Sequence, residues 1–165
     1  MNSVRLVKAV REDAELLHGL QRDAFMPLYE RYRDDDTSPA LESTEIVARK
    51  IADSDFFVIY IDDVPSGGVR VRRSWNDGEN VCRISPIFLM PACCDMGMGT
   101  TVMKMLFDMY ADADKWSLAT IAQDKRNCHF YEKMGFVYTG KSTVINERMT
   151  IIGYEKGSGD GIRKR

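Results

Sequence analysis

Asp124 to Phe136 reads DKRNCHFYEKMGF. An aspartate suited to capping a helix N-terminus opens it. No glycine or proline interrupts it before Met134, and Gly135 stops it where Phe136 re-enters an apolar run, so the pattern predicts a short helix over 125–134 feeding a strand. Upstream, Ile87 to Thr100 reads IFLMPACCDMGMGT: an apolar strand, a proline, a loop with glycines at 97 and 99, then the start of an amphipathic helix. Glycines there let the backbone approach a ligand, and the unpaired first-turn N–H groups of a helix favour an anion such as a diphosphate. Alone, Gly-x-Gly before a helix more often serves a plain turn or tight packing. The Walker pattern fails for want of Gly-Lys-Ser/Thr, and the dinucleotide fingerprint for want of its third glycine.

Working outward, Val4 to Val10 reads as a strand, and Arg11 to Met26 as a helix through Leu16, Leu17, Leu20 and Ala24. Pro27 is expected to end that helix, with Tyr29 to Pro39, including Asp34, Asp35 and Asp36, as a loop before a second helix over Glu42 to Ala52. Asp55 to Ile61 is an apolar strand, Asp62 to Gly68 a turn and Val69 to Arg73 a second strand, so they predict a hairpin. After the Asn76-Asp77-Gly78 turn, Val81 to Met90 is a strand expected to bend near Ser85 and Pro86, because proline cannot donate to a ladder. Val102, Met105, Leu106 and Met109 mark the apolar face of the next helix, widened by Met103 and Phe107 and ending near Ala111. Trp116 to Ala122 is a buried-type strand, Phe136 to Tyr154 a pair of strands, and residues 157–165 (GSGDGIRKR) a loose tail.

The chain has 165 residues, 44% hydrophobic and 29% charged, with 23 Lys+Arg against 25 Asp+Glu and a formal charge of -2. Such composition sets aside disordered, collagen and coiled-coil classes, and the lack of a positive field argues against nucleic-acid partners. No apolar run approaches the ~20 residues of a membrane span and the opening MNSVRLVKAVRED has no signal-peptide core, so a cytoplasmic protein with no membrane partner is expected. Cys82, Cys93, Cys94 and Cys128 form no CxxC pair and have no histidine at ligand spacing. Buried or half-buried free thiols are expected, with no disulfide framework and no metal; a redox role for Cys93 and Cys94 is the minor reading.

Together the two quoted segments resemble the acetyl-CoA loop and the tyrosine helix of the GNAT N-acetyltransferase superfamily. The family loop reads Gln/Arg-x-x-Gly-x-Gly/Ala, matched here by Cys94-Asp95-Met96-Gly97-Met98-Gly99 with Cys94 in place of Gln/Arg. The family helix opens on asparagine and closes on Tyr-Glu-x-x-Gly-Phe; here Asp124 opens it and Tyr131 to Phe136 close it. The resemblance implies an α/β (α+β) GNAT fold over residues 1–156. Its sheet is mixed and mostly antiparallel, of about seven strands flanked by about four helices and splayed at the central strands; the predicted element order fits it over essentially the whole chain.

It further implies acetyl-CoA as cosubstrate, no metal, and acetyl transfer to a primary amine through a tetrahedral intermediate. Main-chain groups of Ile87, Phe88 and Leu89 would bind the pantetheine arm, and Cys94, Asp95, Met96, Gly97, Met98, Gly99 and Thr100 the diphosphate. Asp124 or Asn127 would contact the coenzyme, Asp124 being equally a plain helix cap. Tyr131 would donate a proton to the departing thiolate, its alternative being ring packing. Arg83 and Ser85 stand near the strand position where many members carry a glutamate base, so deprotonation of the amine falls to water and a carboxylate elsewhere. Asp35 and Glu42 are the acceptor-site candidates, and the Asp34–Asp36 run hints at a cationic amine such as a polyamine, an aminoglycoside or a protein N-terminus. His18 and His129 read as surface or packing residues, and Lys104 and Lys125 as ordinary exposed lysines or partners of the coenzyme 3'-phosphate. A non-catalytic acyl-CoA sensor of the same fold is the alternative function. Ten methionines leave room for a homodimer contact.

Overall fold

A computed structural model describes residues 2–157. Residues 158–165 of the expected tail lie outside the described residues, and Gly157 closes the last strand. In chain order the elements are β1 (Val4–Lys8), α1 (Ala14–Tyr32), α2 (Thr44–Asp53), β2 (Asp55–Ile61), β3 (Val64–Asn76), β4 (Glu79–Leu89), α3 (Met98–Met109), β5 (Lys115–Ile121), α4 (Lys125–Lys133), β6 (Val137–Asn146) and β7 (Met149–Gly157). Seven strands form one sheet in the order β1-β2-β3-β4-β5-β7-β6. The β1–β2, β2–β3, β5–β7 and β6–β7 pairings are antiparallel and β4–β5 is parallel, as expected for the mixed sheet.

The chain divides into two compact units, one comprising the chain up to Val71 with Pro86–Met105, the other Arg72–Ser85 with the chain from Leu106 on. It passes between them inside β3, β4 and α3. In the first unit Leu17, Val47, Ile51, Phe56, Val58 and Phe88 form a buried cluster, with the Phe25 and Phe88 rings edge-to-face at 5.6 Å. Each such side chain withdrawn from water stabilises the fold by about 1.5–3 kcal/mol. In the second unit Trp116 is the hub, its ring 5.2 Å from Phe107 and 5.8 Å from Tyr110. The recorded β4–β5 ladder pairs Val81 with Lys115, Cys82 with Trp116 and Arg83 with Ser117.

Three expectations are corrected. The first helix does not stop at Pro27: α1 runs to Tyr32, with Pro27 exposed inside it. The proline removes one internal hydrogen bond, but buried Tyr32 anchors the following turn, and Arg33, left-handed at φ 55°, ends the helix by donating its N–H to the Tyr29 carbonyl. The hairpin turn is not the whole of Asp62 to Gly68 but Asp62-Asp63 alone, both left-handed at φ 51° and 67°, the pair a tight primed turn needs. Gly67 and Gly68 lie inside β3, where a Cβ on Gly67 would meet the Phe88 carbonyl oxygen at 2.2 Å, so these glycines serve close approach rather than turning. In α3 the fully buried side chains are Val102, Met103 and Leu106, whereas Met109 is 48% exposed. Tyr110, packed on Trp116 just beyond the helix, takes the anchoring place expected of Met109.

Candidate active site

The loop after β4 is shaped by main-chain bonds. Met90 N–H donates to the Ser66 carbonyl at 2.8 Å, and Pro91–Cys93 make one 3-10 turn in which Cys93 N–H reaches the Met90 carbonyl at 2.8 Å. Asp95 and Gly97 then take left-handed conformations, φ 65° and 77°, and swing the chain into α3. The Gly97 carbonyl accepts from both the N–H and the hydroxyl of Thr101, each at 3.2 Å, so Gly97 stands at the helix cap. The N–H groups of Met98, Gly99 and Thr100 precede the first intrahelical bond and lie at the positive end of the helix dipole. A Cβ on Gly97 would meet no atom within 4 Å, so it is the backbone angle that demands glycine. Gly99 sits within the helix itself. Cys94 and Met96 are exposed, and Met98 turns its side chain inward. The thiol expectation holds for buried Cys82 and Cys128 and half-buried Cys93, and fails for Cys94, which the turn directs to solvent. At the end of β4, Phe88 points into the core and Ile87 and Leu89 are half-buried on the alternate face.

On α4 the capping role of Asp124 is direct: its carboxylate accepts from the Asn127 N–H at 3.2 Å, and its own N–H donates to the Ile121 carbonyl at 3.0 Å. Asn127 is half-buried one turn on. The helix ends at Gly135, φ 99°, with the Phe136 N–H returning to the Tyr131 carbonyl at 3.0 Å. Tyr131 is 7% exposed, with its ring 5.2 Å from Phe130, 6.0 Å from Phe136 and 6.4 Å from Tyr154. Burial, with smaller contributions from Asp124 and Cys128, pushes its phenol well above the ordinary value. Its hydroxyl makes no hydrogen bond among the described residues. Tyr154, which sequence reasoning did not single out, donates its hydroxyl to Glu132 Oε2 at 2.8 Å. A cavity of about 330 Å³ lies beside this pair, lined in part by Lys125, Cys128, His129 and Tyr138.

The α1–α2 connection gathers the acceptor-site candidates in the first unit. Asp34 is buried, and its carboxylate caps its own turn, accepting from the N–H groups of Asp36 and Thr37 at 3.2 and 2.9 Å and from the Thr37 hydroxyl. Asp35 accepts the Tyr29 hydroxyl at 2.5 Å. Both oxygens of Glu42 are engaged, Oε1 by Gln21 Nε2 at 2.9 Å and Oε2 by Lys50 Nζ at 2.7 Å, while the Glu42 carbonyl lies 3.0 Å from His18 Nε2. Gln21 is fully buried and was invisible to the motif analysis, although its place one turn after Leu17 on the inner face of α1 could have flagged it. Among the described residues no group of three or more His, Cys, Asp or Glu is placed to hold a metal ion, and no helix is long and apolar enough to cross a membrane.

Residues 17–136, from within α1 through α4, match the family model described as the acetyltransferase (GNAT) family. The chain belongs to that family. Its GNAT fold superposes on those of solved members at low sequence identity. The Thermoplasma acidophilum PaiA N-acetyltransferase in complex with coenzyme A is 18% identical with a TM-score of 0.71, over 94% of this chain and 99% of the other. The Vibrio cholerae spermidine N-acetyltransferase in complex with CoA and spermine is 19% identical with a TM-score of 0.72, over 94% and 96%. Arabidopsis thaliana Naa50 with the bisubstrate analogue CoA-Ac-MVNAL is 17% identical with a TM-score of 0.71, over 94% and 99%. The GNAT match contains the Gly97 loop and Tyr131, while Glu132's partner Tyr154 lies beyond it.

Proposed function

We propose that this GNAT chain transfers an acetyl group from acetyl-CoA directly to a primary amine through a tetrahedral intermediate. The first-turn amides of α3 and the left-handed Gly97 suit a diphosphate, and the half-buried Ile87–Leu89 stretch offers main-chain groups to a pantetheine arm. Cys94 brings no cationic or amide side chain to this loop, so binding rests on the backbone from Asp95 to Thr100, with Asn127 as the side-chain amide on α4. Solved relatives holding coenzyme A support this reading.

The observation that carries the reading is Tyr131: a buried phenol with a raised pKa, whose hydroxyl has no hydrogen-bond partner among the described residues, keeps its proton at neutral pH and can give it to a leaving thiolate. An acetyl thioester is already reactive toward an unprotonated amine, so the protein's task is alignment and charge stabilisation; no protein nucleophile is needed. The acceptor arrives as ammonium, pKa about 10, and its proton leaves through water. Asp35 and Glu42 shape the acceptor region, held by Tyr29, Gln21 and Lys50. Thiol release from acetyl-CoA, followed across a library of primary amines, tests the proposal. Amine-dependent release is expected, and coenzyme binding without release above background would leave the chain a sensor.

A further inference from the structure

Burial alternates along β4 and β5: Cys82, Ile84, Trp116 and Leu118 are buried, whereas Arg83, Ser85, Ser117 and Ala119 lie on the opposite, more solvated face. Register places Arg83 beside Ser117, Ser117 beside Glu155 of β7, and Ala119 beside Gly153. Arg83 Nη1 donates to Ser117 Oγ at 3.3 Å, and no carboxylate lies within ion-pair range of this half-buried guanidinium among the described residues. The nearby acids are engaged elsewhere: Glu79 and Glu155 with Lys115 at 3.4 and 3.8 Å, and Asp112 with both terminal nitrogens of Arg73 at 3.1 Å. Arg73 also stacks over the Tyr110 ring. Its neighbour Arg72, on the other face of β3, is exposed and has no ion pair among the described residues. Burial first, then the like charge of Arg72, lowers the Arg83 pKa, so two guanidinium groups bear on each other with no anion to compensate them.

A partly desolvated guanidinium is costly unless an anion pairs with it, and its planar fork matches carboxylate and phosphate. Ser117 adds a hydroxyl, and the exposed Ala119 stands two residues on with only a methyl side chain. We propose that Arg83 and Arg72, with the Ser117 hydroxyl, form a subsite for a carboxylate or phosphate group carried by the acceptor amine. This deepens, and rests on, the acetyl-transfer reading. It differs from the cationic acceptor suggested by the aspartate run, in which Asp34 caps its own turn and Asp35 accepts from Tyr29.

Paired acceptors that differ only in the anionic group provide the test: amino acids against their amides, and aminoalkyl phosphates against the parent amino alcohols, with thiol release as readout. The wild type is expected to favour the anionic member of at least one pair, and which pair responds separates carboxylate from phosphate. Arg83→Gln should raise KM for that member by about 10- to 100-fold, the scale of a lost charge-assisted hydrogen bond. The acetyl-CoA Kd and the kinetics of the neutral member should not change. Arg72→Gln, at an exposed position tolerant of change, should act in the same direction even if the Arg83 variant folds poorly. Equal use of neutral and anionic members by the wild type overturns the proposal. So does a loss of acetyl-CoA affinity in both variants as large as the loss for the acceptor, which would give the arginines to the coenzyme phosphates. Titration with inorganic phosphate or acetate under saturating acetyl-CoA reads the subsite without turnover. If transfer itself is wrong, no amine releases thiol while the anion still binds wild type and not Arg83→Gln; if only the subsite is wrong, amines turn over with no such binding difference.

Discussion

The hydroxyl of Tyr154 on β7 donates to the Glu132 carboxylate on α4 at 2.8 Å, and its ring centroid lies 6.4 Å from that of Tyr131. The strand thereby holds the helix that carries the proposed proton donor. Tyr154→Phe should cost about 1.5–3 kcal/mol in urea unfolding, the range for a hydrogen bond to a charged group. Its effect on turnover should stay far below that of changing Tyr131. Turnover falling as far as in the Tyr131 variant would move the acid to position 154.

Tyr131→Phe is expected to lower turnover by about 10- to 1000-fold with modest change in acetyl-CoA affinity, the scale of a lost general acid. Calorimetry for binding and thiol release for rate separate the two effects. Unchanged turnover would assign the proton to water.

The two buried phenols also set a stability trend. Both have pKa values raised by burial, so in the folded chain they keep protons that an unfolded phenol gives up near its ordinary value of about 10. Below that pH both states are protonated and the groups are neutral to stability. Above it the unfolded state gains by ionising, so thermal stability should fall as pH rises, and fall less steeply in Tyr154→Phe. A slope identical in both proteins would contradict the linkage.

Glu42 binds Lys50 with side chains 20% and 23% exposed, and also takes Gln21. A double-mutant cycle of Glu42→Gln and Lys50→Met in urea should give a coupling of about 1 kcal/mol, larger than for a fully exposed pair and reduced by residual solvent screening. A coupling near zero would free Glu42 for direct work on the acceptor.

Two glycine replacements should fail differently. Gly97→Ala meets open space but must hold φ 77°, so its loss of stability should be near 1 kcal/mol and its main effect a weaker acetyl-CoA Kd. Gly67→Ala drives a methyl into the Phe88 carbonyl and should cost about 1–3 kcal/mol of stability. Reversed effects would mean that the loop tolerates a shift and the strand does not depend on close approach.

What could be read from sequence was local. Asp124 and Gly135 announce a helix through capping chemistry, and the Gly97 loop announces a strand-to-helix turn, so α3, α4 and their order were legible. Pro27 misled because tertiary anchoring at Tyr32 outweighs one missing hydrogen bond. Asp62-Asp63 misled because aspartate occupies the left-handed region without glycine. The engagement of Glu42 by Gln21 and Lys50, the tie from Tyr154 to Glu132, and the pairing of Arg83 with Ser117 could not be read, since each depends on residues that only strand register or helix packing makes neighbours.

The chain leaves each compact unit in the middle of β3, β4 and α3 rather than through surface loops. A protease seeking a linker to separate the halves finds strand or helix backbone at those crossings. Neither half is one continuous stretch of polypeptide, so any contiguous fragment that contains one whole unit also carries a segment of the other, and truncation studies on this chain would need complementing pieces or circular permutants.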